Sequence, residues 1–447
     1  MFFRLAAILL LSIFPAAYAS ASSPEPAVVL SSESVDVDES TPVPIPEPTP
    51  RAVAFHRSGN VLWVFARLWD IAVPFGLLVT GASAKGRDLA KRIGRNWFFT
   101  VGIYVVVFLL IVFLLDLPLR YYAGYLRLHE YGLSRQSFGK WFGNSVIHLL
   151  IDMLGAFLVA WVPFLLIARF PRSWWLVTSL LMIPFLAIVM LITPVMIDTL
   201  FNDFRPMSQV VDKPNRSEAV KPIDRRALEA RILELAGRAG IRAEQVFEVN
   251  KSVDTVAVNA YVTGLLGTHR IVLWDTMLAK LDEKEIVAIM GHEMGHYVLG
   301  HVGWTIVMSS VIVLAGLFFT DRVGRRLVAR YHRRFGFDSL ADVAATPLLL
   351  VLIGLSSTAL APVAMAYSRF HEHEADRFSL ELTHMNRSSA RAFADLQREN
   401  LGVPRHAWIY KIWRATHPSI AERIGFCNEY RPWAVSAVSA SPRSRSD

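Results

Sequence analysis

Six apolar stretches divide the chain, near residues 61–80, 97–115, 146–168, 174–197, 302–320 and 345–367. Each approaches the roughly 20 residues that cross a bilayer. The first is the weakest, because it carries Arg67 and Asp70. Their i,i+3 spacing lets them pair on one helix face, at the interface or toward an internal cavity. His148 and Asp152, at the start of the third stretch, raise the same question. The pattern predicts a mainly α, polytopic membrane protein: four spans over 59–200, a polar region over 201–300, two more spans over 301–367 and a second polar region over 368–430.

The ends read differently. Residues 1–21 carry Arg4, an apolar run and a small-residue site at Ala17-Tyr18-Ala19. That is the pattern of an export signal, cleaved or kept as an anchor. Residues 22–58 read as a disordered linker rich in Pro, Ser and acidic residues, and 431–447 as a loose tail.

Composition supports the membrane reading. Of 447 residues 53% are hydrophobic and 19% charged, against roughly 25% charged in soluble domains. Mean hydropathy is +0.37. Such a chain buries a large core, which excludes disorder over most of its length. One cysteine, Cys427, excludes an intramolecular disulfide and a cysteine-based zinc site. The net charge of +8 resolves into short loops: Lys85, Arg87, Lys91, Arg92 and Arg95; Arg169 and Arg172; then Arg322, Arg325, Arg326, Arg330, Arg333 and Arg334. Alternating spans put these three loops on one side, the cytoplasmic one. With an exported N-terminus, the two polar regions then lie together outside, as in a bacterial inner-membrane protein with a periplasmic site. No basic and aromatic cluster on a polar segment suggests nucleic acid as a partner.

The chemistry lies in those polar regions. Asp282 and Glu285 have the spacing of a helix capping box, and the helix they open carries His292-Glu293-Met294-Gly295-His296. This H-E-x-x-H pattern sets two imidazoles one turn apart on one face, within reach of a single zinc ion, with Glu293 beside them. A catalytic zinc needs a third protein ligand. His301, five residues past His296, turns off that face and misses the metzincin spacing; it reads as a polar residue at a helix end near the membrane. Ser368-Arg369-Phe370-His371-Glu372-His373-Glu374-Ala375-Asp376, after the sixth stretch, is the better source. Glu372 and Asp376 are one turn apart, so one can bind metal while the other hydrogen-bonds a ligating histidine. Periodicity leaves His371, His373 and Glu374 open as rivals.

H-E-x-x-H followed by Ser368, Arg369, Glu372, Ala375 and Asp376 resembles the type I CAAX prenyl endopeptidase family, polytopic membrane gluzincins, with heat-shock membrane proteases as more distant relatives. Further similar stretches are Glu130-Tyr131-Gly132 with Gln136, Leu200-Phe201-Asn202, Asn259-Ala260-Tyr261 and Thr416-His417-Pro418 with Arg423-Ile424. The resemblance spans roughly residues 60–425. It implies a zincin-type fold of active-site helices with a small β-sheet, and one zinc held by His292, His296 and Glu372. It further implies Asp376 behind a ligand, Glu293 as the catalytic base and His417 as the oxyanion stabiliser. Strands around Asn259 and Tyr261 would bind an extended substrate by strand addition. Without the resemblance, Asn259 reads equally as a turn residue and His417-Pro418 as a helix start.

The expected activity is zinc-dependent endoproteolysis of protein or peptide substrates at the bilayer. The family works on prenylated proteins at the cytosolic face, whereas the charge bias here places the site outside. Processing or quality control of envelope proteins is therefore the expected role. The alternative is a non-enzymatic, zinc-stabilised scaffold or transporter, against which stands Glu293 beside a three-ligand set: a structural site is closed by four ligands.

Overall fold

The computed structural model describes residues 38–193, 197–210, 223–263 and 270–434. Its membrane half starts with α1, Pro50–Val79, which begins well before the apolar stretch. Thr49 caps it, accepting the Ala52 N–H at 3.1 Å, and Pro50 fits the first turn. The basic helix α2, Ala82–Gly94, leads to α3, Trp97–Tyr121, capped by Asn96. Next come α4, Phe138–Val159, α5, Trp161–Arg169, and α6, Trp174–Ile192.

Among the described residues, five helical segments are long and apolar enough to cross a membrane: Pro50–Val79, Trp97–Glu130, Phe138–Arg169, His301–Phe335 and Val343–Thr383. They account for five of the six expected spans. The fourth corresponds to the shorter α6, and residues 194–196 of that stretch lie outside the described residues. Arg67 and Asp70 do pair, at 2.9 Å, and both stay part-exposed.

The polar half holds a four-stranded sheet beside the helices. Its strands are β1, Phe204–Pro206, β2, Val246–Val249, β3, Ala260–Thr263, and β4, Arg270–Trp274, with α7, Arg225–Arg238, between β1 and β2. The order is β1-β2-β4-β3, with β2 and β4 parallel and the outer strands antiparallel to their neighbours. β3 pairs with β4, Ala260 facing Leu273, and ends the sheet among the described residues; it packs against α8, Glu283–Val298. Leu228, Ile232, Val246, Ile271, Ile286 and Met290 form a dry core between α7, the sheet and α8.

Two long helices join the halves. They are α9, His301–Phe335, and α10, Thr346–Thr383. The left-handed backbone of Gly336 (φ 76°), a conformation open to glycine, ends α9. The three basic stretches then meet at one end. Arg87 donates to Asp342 at 2.7 Å and to the Gly336 carbonyl at 2.9 Å, Ser83 to the Ala344 carbonyl at 2.6 Å, and Arg325 to the Pro171 carbonyl. At the other end α10 runs on past its apolar stretch, carries His371 to Asp376, and is followed by α11, Asn386–Glu399, and α12, Ile420–Glu429.

The acidic linker differs from expectation. From Asp38 onward it is packed: Val43 is buried with Leu380 and Ile424, and its N–H and carbonyl each bond the Asn428 amide at 2.9 Å. Glu39 accepts the Ser388 N–H at 3.0 Å and its hydroxyl at 2.6 Å. Val43 and Ile45 supply an apolar anchor that the polar average of the segment conceals. At the other terminus Trp433 stacks on His384 at 4.3 Å. The expected export signal and most of the expected tail lie outside the described residues.

Candidate active site

The capping box forms as its spacing predicts: Asp282 accepts the Glu285 N–H at 2.9 Å, and Glu285 accepts the Asp282 N–H at 3.0 Å. What sets α8 in place is its glycines. A Cβ on Gly295 would sit 3.1 Å from the Ala375 Cα and 3.2 Å from its carbonyl oxygen, and one on Gly291 would sit 2.8 Å from Ser379 Oγ. The backbones of α8 and α10 therefore touch, and Glu372 arrives beside both motif histidines.

The three donors form a small triangle. His292 Nε2 lies 3.2 Å from His296 Nε2 and 3.3 Å from Glu372 Oε2, and His296 Nε2 lies 3.4 Å from Glu372 Oε1. Two nitrogens bound at 2.0–2.1 Å to one tetrahedral zinc stand roughly 3.3 Å apart. All three side chains are buried, and Glu372 Oε2 makes no hydrogen bond among the described residues. The donor set fits a divalent cation, and among the described residues no other cluster of this kind occurs.

The rivals on α10 turn elsewhere. His373 packs on Phe426 at 4.4 Å, and Glu374 pairs with Arg377 at 2.8 Å. His371 is buried against the rings of His301 and Tyr367, and neither of its nitrogens has a hydrogen-bond partner among the described residues. Glu293 lies half-buried beside the triangle and outside it; burial raises its carboxyl above the ordinary range.

Each motif histidine is held from behind. His292 Nδ1 lies 2.8 Å from Asp376 Oδ1. Arg423 of α12 grips the same carboxylate, Nε to Oδ2 at 2.9 Å and a terminal nitrogen to Oδ1 at 2.5 Å, while its guanidinium stacks 3.8 Å from the Phe393 ring centre. His296 Nδ1 lies 2.9 Å from His301 Nδ1. With the Nε2 of His296 turned into the triangle, its Nδ1 carries the proton and His301 accepts it.

His301 thus departs from the sequence expectation. It is off the metal face and at a helix end, as expected, yet it is buried and partners His296. The left-handed Gly300 (φ 65°) between α8 and α9 folds it back, a turn that helical periodicity does not encode. Arg423 is the other residue whose role sequence reasoning missed. Its signal was an Arg in the first turn of a short apolar helix.

His417 reaches the site: its Nε2 is 3.2 Å from Glu372 Oε2 and its Nδ1 is 2.7 Å from Thr416 Oγ1, with the side chain still 48% exposed. The adjacent helix is capped by Ser419, so His417 itself is not a helix start. Tyr261 lies on β3, where burial raises its phenol. Asn259 precedes the strand, exposed, its carbonyl accepting the Trp274 N–H at 3.1 Å.

A three-donor cluster with a carboxylate beside it, set where membrane helices meet a small sheet, is the arrangement of a membrane metallopeptidase. Comparison with known proteins gives the same class. The profile of peptidase family M48 matches residues 222–430, and that of the CAAX prenyl protease N-terminal region, described as five membrane helices, matches residues 50–203. The uncharacterized metalloprotease YhfN of Bacillus subtilis (strain 168) is 39% identical over 364 residues, covering 80% of this chain and 81% of that one. CAAX prenyl protease 1 of Saccharomyces cerevisiae is 27% identical over 329 residues, 70% of this chain and 68% of that one. The crystal structure of S. mikatae Ste24p shares the fold, with a TM-score of 0.69 over 84% of this chain and 87% of that one at 21% identity.

The chain belongs to peptidase family M48. It is a multi-pass membrane metalloendopeptidase, and the scaffold or transporter alternative falls away.

Proposed function

We propose that the protein is a zinc endopeptidase that cuts envelope or membrane proteins from the outer face of a bacterial inner membrane. The observation that supports the zinc assignment is the donor cluster: the two Nε2 atoms stand 3.2 Å apart, the separation that suits one tetrahedral ion, and the two Glu372 oxygens lie 3.3 and 3.4 Å from them. In this reading His292, His296 and Glu372 hold the metal. Zinc, when bound, supplies Lewis acidity and a water of lowered pKa.

The remaining work belongs to side chains. Glu293, desolvated beside the triangle, takes the proton of the attacking water and delivers it to the leaving amine. His417, with Nε2 directed at the same space, donates to the oxyanion, a contribution of roughly 3 kcal/mol for one well-placed donor. Asp376 fixes His292 through its Nδ1 proton. A substrate strand adds to the outer side of β3, the last strand of the sheet among the described residues, with Asn259 and Tyr261 along its path.

Sidedness rests on the basic residues of α2, the α5–α6 link and the end of α9, which gather at the end of the molecule away from the site. Relatives bear the name CAAX prenyl protease 1, but a site on the outer face favours envelope proteins over prenylated ones as substrates. Membrane proteomes of cells carrying wild type or Glu293→Gln provide the test. Uncut envelope proteins should accumulate with the variant, and identical proteomes would overturn the role. A C-terminal reporter active only in the cytosol would overturn the orientation.

A further inference from the structure

The membrane half contains a cavity of about 130 Å³ between α5, α6, α9 and α10. Its wall is almost entirely hydrocarbon, with Ile167, Trp174, Met182, Ile312, Leu349 and Leu360 among its lining side chains. An apolar cavity of this size stays dry and accepts apolar ligands. The serine and threonine hydroxyls of α10 in this wall include Thr346 and Ser356, satisfied by the carbonyls of Val343 and Leu352. Thr178 differs: its buried hydroxyl has no hydrogen-bond partner among the described residues.

The cavity has a polar end and an apolar end. Along α10 its lining residues extend from Thr346 to Leu360, fourteen steps or about 21 Å. At the Thr346 end Trp174 donates its indole N–H to Asp321 at 2.5 Å, and Asp321 also accepts from Arg325 at 2.7 Å. This end thereby joins two basic stretches: the α5–α6 link, with Arg169 and Arg172 and no acidic residue, and the end of α9, with Arg322 and Arg326. All four of these arginines are exposed.

We propose that this cavity binds a segment of one acyl chain of an anionic phospholipid, with the headgroup phosphate on Arg169, Arg172 and Arg322. Hydrocarbon matches the wall, and the arginines supply the cationic complement that a zwitterionic lipid uses less well. Thr178, one turn along α6 from Trp174, is the wall's spare donor for an ester carbonyl. The occupied helices α9 and α10 are those that deliver His301 and Glu372, so the bound lipid braces the elements that carry the site.

Native mass spectrometry of the purified full chain tests this. Phosphatidylglycerol and phosphatidylcholine with identical acyl chains are added in equal amounts. One phosphatidylglycerol per chain should survive activation that strips phosphatidylcholine, with at least a fivefold preference. Gly316→Leu fills the cavity and should abolish retention. Arg169→Ala with Arg172→Ala lies on the exposed link, leaves folding intact and should erase the preference. Equal retention of both lipids by wild type would overturn the proposal as ordinary annular lipid. Unchanged retention in folded Gly316→Leu, or an unchanged preference in the double arginine variant, would overturn it as well.

Discussion

The two motif histidines face the same space but are backed by different chemistry. Behind His292 stands a carboxylate, Asp376, itself clamped by the buried guanidinium of Arg423. Behind His296 stands a neutral imidazole, His301, with the ring of His371 4.0 Å beyond it. The first chain runs into the polar half through α10 and α12, and the second runs to the start of membrane helix α9. An anion behind an imidazole raises its basicity and holds it firmly; an imidazole fixes the tautomer with little charge. The site is therefore electrostatically anchored on one side and sterically anchored on the other.

The sharpest way to break that contrast is to remove the charge. Asp376→Asn preserves shape but leaves the buried Arg423 guanidinium without its counter-charge, a stability cost of about 3–5 kcal/mol, so the variant is compared as folded protein. It should lower zinc affinity 10–100-fold in chelator competition, the usual effect of losing such a partner. Affinity equal to wild type would mean that the carboxylate only packs.

The same contrast predicts a pH dependence. Burial and the Arg423 charge pull His292 down, but bonds to Asp376 and Glu372 outweigh them and push it up to about 9 in the metal-free site. Zinc needs the neutral ring, so below pH 9 binding expels a proton, and affinity rises about tenfold per pH unit from 7 toward 9 before levelling. In Asp376→Asn the levelling moves to lower pH. A wild-type affinity that is flat from pH 7 to 9 would contradict the raised value.

On the other side the effect should be smaller. His301→Phe fills the space but cannot accept the His296 proton, and we expect about a threefold to tenfold loss of zinc affinity. His301→Gln, which offers an amide oxygen, should recover most of it. Equal losses in Phe and Gln variants would show that His301 acts by shape alone.

The smallest expected effect is none. Cys427 is buried behind Asp376, and burial raises its thiol. The folded protein should leave it unlabelled by iodoacetamide, and labelling at the rate of a free thiol would show that the His292 side opens to water.

The sequence made part of this plain. The H-E-x-x-H spacing and the Asp282–Glu285 box are local, within two turns of one helix, and both formed as read. The apolar stretches located the helices because a bilayer demands length and hydrocarbon. What escaped was set by tertiary contact. Among the rivals of α10, periodicity alone left Glu372 undistinguished from His371 and His373, because the choice depends on the angle at which Gly291 and Gly295 let α8 approach. Arg423 meets Asp376 across 47 residues, and His301 returns to His296 through a single left-handed glycine. Residues 38–49 looked disordered because Val43 finds its pocket almost 400 residues away, at Asn428.

The central claim is that Glu293 performs the proton transfers at a zinc held by His292, His296 and Glu372. Purified wild type and Glu293→Gln, each assayed for bound zinc and for hydrolysis of a fluorogenic peptide, test it most directly. Both should carry one zinc per chain, while the variant's turnover falls about 10²–10⁴-fold, the range of general acid–base catalysis. Undiminished hydrolysis by the variant, or loss of zinc together with activity, would contradict the account.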